Sequence, residues 1–128
     1  MAQLKTGMWV DALMRRAQVG GAYACVIHRG DRDAGTVLVT VRSREVLSIY
    51  TPERDMDGAR VWRGEELDEA GLAATIKSRL DFDSDLIVVE IEDPDGRHFI
   101  EEAVLTDQEA REDAAELEAA AKALFRGR

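Results

Sequence analysis

One cysteine, Cys25, stands in a chain of 128 residues, which excludes an internal disulfide and makes a reducing, cytoplasmic setting the expectation. No apolar run approaches the roughly 20 residues that a spanning helix needs, so no membrane association is expected. The opening, MAQLKTGMWV, has no basic stretch leading into a long apolar one, and no secretory leader is expected there. Basic charge is in short supply: 17 Lys and Arg stand against 26 Asp and Glu, a net charge of −9. Such a chain is a poor match for a phosphate backbone, and no nucleic-acid partner is expected. Repeats and low-complexity blocks are missing. The glycine-bearing stretch HRGDRDAG (28–35) fits neither the dinucleotide nor the P-loop pattern, and a strand rather than a helix follows it. No cofactor is expected.

What is present is an ordinary globular composition, 45% apolar and 34% charged, enough for one domain over residues 1–128. The charge is uneven. Residues 1–64 balance at +3, whereas residues 81–102 carry nine acids against Arg97 alone. Leu4, Trp9, Val10, Leu13, Met14 and Ala17 recur at helical spacing up to Gly20-Gly21, predicting a first helix over 4–19. Strands are predicted at 22–28, 35–41 and 45–51, the last ended by Pro52, with a short fourth at 59–62. Leu72, Ile76 and Leu80 share one face of a second helix over 66–80. A fifth strand is predicted at 86–91 and a possible sixth at 97–100. A C-terminal helix over 104–128 follows, opened by the capping box Thr106–Glu109.

The first, second and fifth strands carry apolar residues on both sides, and strands of that kind need cover on both faces. The expected fold is therefore α+β: a mixed, mostly antiparallel sheet with helices on both faces, a three-layer α/β/α sandwich in the order α-β-β-β-(β)-α-β-(β)-α. The first three strands are expected to be antiparallel neighbours, and the fifth to run parallel to the strand it joins.

The stretch VVEIEDPDGRHFI (88–100) concentrates acids. Glu90, Glu92 and Asp93 could bind a hard cation through oxygen, but the spacing is not that of a calcium loop. Turn chemistry accounts for more of it: Asp93, Pro94, Asp95 and Gly96 suit a type I turn with a G1 bulge, placing Glu92 opposite His98 and Ile91 opposite Phe99. No metal site is expected. Cys25, mid-strand in an apolar run, reads as an inert buried thiol and not as a nucleophile partnered by His28 or His98. The element order is also that of restriction-endonuclease-like nucleases, but the third strand offers Glu45 and no lysine, so that chemistry does not follow. No catalytic residue is assigned.

Candidate binding residues remain. Arg29, Arg32 and Arg42 could clamp an anionic small molecule, as ligand or substrate, through bidentate hydrogen bonds. Trp62, flanked by Arg60 and Arg63, could be an exposed interface anchor. Asp93 and Asp95, with Asp81 and Asp83, could steer a basic protein partner.

Three stretches, LKTGMWVDALMRR (4–16), VIHRGDRDAGTVLVTV (26–41) and DLIVVEIEDPDGRHF (85–99), together resemble a small alphaproteobacterial family, the domain of unknown function DUF1491. The resemblance covers most of residues 4–100 and implies no activity, cofactor or catalytic residue. The expected function is a non-catalytic domain that binds a protein partner or itself.

Overall fold

The computed structural model describes residues 4–106, 116 and 118–124. Helix α1 (Thr6–Val19) forms on the expected spacing, and Trp9, Val10, Leu13 and Ala17 line its buried side. Gly20 caps it, and Gly21, at φ 88°, turns the chain into the sheet. In order follow β1 (Tyr23–His28), β2 (Val37–Arg42), β3 (Leu47–Arg54), β4 (Arg60–Leu67), α2 (Glu69–Phe82), β5 (Ile87–Glu92) and β6 (Val104–Thr106). Residues 116 and 118–124 are helical.

All the strands join one six-stranded sheet in the order β1-β5-β2-β3-β4-β6. β5 runs antiparallel to β1 and parallel to β2; β3 is antiparallel to both β2 and β4; β6 is parallel to β4. The α+β class and the mixed sheet match the expectation, as does the parallel β5 reached through the α2 crossover. β1 and β2, however, are not neighbours, because β5 lies between them. β5 is apolar on successive residues from Ile87 to Val89, and a central place buries both of its sides.

Successive residues of the central strands divide between two clusters, as the pleat requires. Val37, Val39 and Val41 pack with Ile87, Val89, Ile91, Trp62 and the buried side of α1. Leu38, Ile49, Leu86 and Val88 pack with Leu72 of α2, joined by the half-buried Ile76 and Leu80. Asp68 caps α2 by accepting from the Gly71 N–H at 2.6 Å, and Glu66, expected inside that helix, belongs to β4.

Pro52 does not end β3. It faces Trp62 in the β3–β4 ladder, and Trp62 donates its backbone N–H the other way, to Ala103 O at 2.9 Å. The Pro52–Trp62 pair is therefore one of the non-hydrogen-bonded ones, and the missing N–H of Pro52 points away from β4. On that side the β2 ladder has already stopped at Val39–Tyr50, so no bond is lost.

Residues 97–100 form no strand. β5 has β1 on one edge and β2 on the other, which leaves no edge for a hairpin partner. The turn itself forms: Gly96 N–H donates to Asp93 O at 2.9 Å, and Gly96 has φ 74°. Beyond it the chain leaves the sheet through Phe99, whose φ is 62° and whose ring lies against Gly20. Glu92 faces Tyr23, not His98, and Ile91 faces Ala24, not Phe99. Val104–Thr106, expected within the C-terminal helix, are the strand β6 instead. Of the residues expected in that helix, Glu109, Ala110, Leu117 and Phe125 lie outside the described ones.

Candidate functional site

β1 is an edge strand, and its two sides can be assigned from the hydrogen bonds of β5. Ile87 N–H donates to Thr36 O at 2.8 Å and Asp93 N–H to Arg42 O at 3.0 Å, so the odd-numbered residues of β5 turn their backbone toward β2. The even-numbered ones turn theirs toward β1, which makes Glu90–Cys25 and Glu92–Tyr23 the hydrogen-bonded pairs. Ala24 and Val26 therefore point their N–H and C=O groups outward, away from the sheet. Among the described residues nothing pairs with them.

Cover of this strand's side chains is one-sided. Ala24 and Val26 join the cluster beneath α1. Tyr23 and Cys25 lie on the opposite face, where α2 sits over β3 and β4. Tyr23 is 62% exposed and Ile27 47%. The expectation that β1 is covered on both faces is thus corrected. Cys25 is half-buried rather than fully buried. Partial burial, and then the charges of Glu90 and Glu92, push its thiol pKa up, so little thiolate forms at neutral pH. Neither histidine pairs with it. His28 Nδ1 donates to Leu86 O at 2.7 Å; His98 Nδ1 accepts from Ile100 N–H at 2.9 Å, and its ring meets Tyr50 edge-on.

The three arginines expected to converge do not. Arg32, in the loop before β2, is bidentate to Asp11 of α1. Arg42, at the far end of β2, pairs with Glu69 and lies 3.6 Å from Glu90. β2 alone separates those two positions by about 17 Å. Arg29 is exposed after β1. The glycines of the same loop serve close backbone approach: a Cβ at Gly30 or Gly35 would collide with the Asp85 carbonyl, where Asp31 N–H donates at 2.9 Å.

Trp62 is wholly buried, not an exposed anchor. It stacks on Trp9 with ring centroids 5.0 Å apart, and the Arg60 guanidinium lies over both rings. One carboxylate closes the group: Glu102 accepts from Trp9 Nε1 at 3.2 Å, Trp62 Nε1 at 3.0 Å and Arg60 Nε at 3.0 Å. Burial raises the pKa of Glu102, but the hydrogen bonds from Arg60 and Trp62, the charge of Arg60 and the Trp9 indole more than offset it. The carboxyl is held below its ordinary range. Sequence reasoning missed this residue, counting it only as one acid among nine. The available signal was that buried indoles need acceptors. A cleft of about 460 Å³ opens beside the group over Trp9, Arg54 and Arg60, where Arg16 pairs with Glu101 and Arg60 with Glu102.

The acidic segment is split by the fold. Asp81 and Asp83 sit at one end of β5, Asp93 and Asp95 at the other. Asp95 is exposed, but Asp93 is 1% exposed and bound by the guanidinium and the backbone N–H of Arg97, which hold its carboxyl below the usual range. Asp93 thus fixes the turn and is unavailable for steering a partner. Among the described residues no group of three His, Cys, Asp or Glu side chains is placed to hold a metal, and Glu90 is taken up by Arg42.

Fold and edge together define a small α+β domain with a mixed six-stranded sheet that, among the described residues, is open at β1. The chain belongs to the DUF1491 family: that family's model, described as a protein of unknown function, matches residues 4–101. The crystal structure of a DUF1491 family protein from Caulobacter crescentus CB15 is similar, at 43% identity and a TM-score of 0.77, covering 80% of this chain and 100% of that one. An NMR structure of a DUF1491 family protein from the same organism gives 40% and 0.75, covering 82% and 99%. A solution structure of a protein from A. tumefaciens gives 32% and 0.63, covering 72% and 87%. No curated protein matches the chain. No helix among the described residues is long and apolar enough to cross a membrane.

Proposed function

We propose that this protein is a non-catalytic association module of the cytoplasm that accepts a strand, from a partner protein or from a second copy, at the open edge of β1. The observation that carries this reading is the coincidence, on one six-residue strand, of outward-pointing amides at Ala24 and Val26 with exposed Tyr23 and Ile27. An edge strand of that kind is a template for strand addition, with main-chain hydrogen bonds giving affinity and alternate side chains giving selectivity. The same reading takes the molecule as a three-layer sandwich, in keeping with the separate clusters around α1 and α2. The dispersal of Arg29, Arg32 and Arg42 argues against an anion clamp built from them.

The test is a double substitution, Tyr23→Lys with Ile27→Lys. Both side chains are exposed, so the melting temperature should stay within a few degrees, while two lysines guard the edge. Tagged wild-type protein should capture a partner, or an untagged second copy, that the folded double variant fails to capture. Equal capture by both proteins would place association elsewhere.

A further inference from the structure

We infer that β1 pairs with β1 of a second copy in one register, Ala24 opposite Val26 and Cys25 opposite Cys25 across a two-fold axis. The inference rests on the strand-accepting reading above and deepens it by naming the occupant.

The register follows from which groups point outward. Two antiparallel strands exchange paired hydrogen bonds only between residues whose backbones face each other. Ala24 and Val26 are the outward-facing residues of β1. Setting Ala24 against Val26 of the second copy makes two such pairs, related by symmetry, and leaves Cys25 facing Cys25 in the non-hydrogen-bonded pair between them. The interface is isologous, so it closes on itself as a dimer and does not propagate.

The side chains are self-complementary in that register. Tyr23 of one copy comes level with Ile27 of the other, twice, which brings the exposed apolar residues of the strand together. Local charge at the edge allows a copy of itself as the occupant. The chain is 34% charged, yet no charged residue occurs from Ala17 to His28 with histidine neutral, so self-pairing brings no like charges into register. The irregularity between Val26 and His28 displaces Ile27 from the β1–β5 ladder but leaves the Ala24–Val26 stretch straight. The contact is small, one short strand and a few side chains, below the about 1,200 Å² of standard stable interfaces, so the dimer comes apart on dilution.

Cys25 supplies the probe. Non-hydrogen-bonded partners have Cα atoms about 4.5 Å apart, within the roughly 4.4–6.8 Å that a disulfide spans. Diamide takes two hydrogens from the two facing thiols, becoming the hydrazine, and one S–S bond forms. Sedimentation equilibrium on the full chain should show a reversible monomer–dimer transition. Diamide at concentrations where the dimer dominates, and at a pH alkaline enough to form the Cys25 thiolate, should give a covalent dimer. Cys25→Ala should dimerise equally and give no covalent dimer. The Tyr23→Lys, Ile27→Lys variant, which keeps Cys25, should remain monomeric and unlinked. A reversible dimer that diamide cannot link overturns the register. A wild-type protein that stays monomeric at high concentration overturns self-pairing. If that monomeric protein still captures another protein and the double lysine variant does not, the strand-accepting edge stands with a different occupant. If no capture depends on the edge, both readings fall.

Discussion

Glu102 ties α1 to the sheet through atoms that composition alone does not single out. Two indole N–H groups and the Arg60 guanidinium converge on its carboxylate. Glu102→Ala leaves the buried Trp62 donor and Arg60 unpaired and should lower stability by about 2–3 kcal/mol in urea unfolding. The effect carries a pH signature. A carboxyl whose folded pKa is depressed contributes stability that is complete above its unfolded pKa and is lost as pH falls through the folded value. The unfolded value is near 4.5, so the gap in melting temperature between wild type and Glu102→Gln should be widest at neutral pH and narrow as pH drops below it. A gap independent of pH would show that the charge of Glu102 contributes nothing. Asp93 illustrates the same principle: it read as a turn acid, and it is one, but Arg97 and burial also remove it from the surface where a steering role was expected.

At the scale of elements, glycine separates turn geometry from backbone contact. Gly96→Ala meets only an ordinary contact with Ser43 and carries the penalty of φ 74°, so it should lose about 1 kcal/mol. Gly30→Ala drives a methyl into the Asp85 backbone and should lose about 3 kcal/mol or more. Similar losses in the two proteins, measured by chemical denaturation, would refute the distinction. These elements also show what the sequence made legible. α1, β1, β2 and β5 are where periodicity and apolar runs put them, because local pattern and burial agree there. β4 is longer than expected because Arg63, Glu65 and Glu66 tolerate a strand near the sheet's rim. The 97–100 segment misled because RHFI alternates like a strand, while its supposed partner already had two neighbours. Strand order is a property of who sits beside whom, and no local pattern carries it; the continuous burial of β2 and β5 was the one available hint that both are central. For the site, Cys25 read as a core residue but is half-buried, because the openness of β1 depended on α2 lying over other strands.

The whole molecule carries −9, and self-association brings two such charges together across an edge that is itself uncharged. Copies should therefore repel at long range and dimerise more tightly as salt rises, with the screening length falling to about 8 Å at physiological ionic strength. A basic partner would show the opposite trend, with an on-rate that falls with salt, so the sign of the salt dependence separates a second copy from an oppositely charged protein. The central claim is that β1 is an open edge that another strand completes, and amide hydrogen exchange at single residues tests it most directly. The amides of Tyr23 and Cys25, bonded to β5, should exchange slowly at every protein concentration. Those of Ala24 and Val26 should exchange fast in dilute solution and become protected as concentration rises. Protection of both that dilution does not remove would contradict the open edge, and fast exchange at Ala24 and Val26 in concentrated protein would contradict its completion by a second copy.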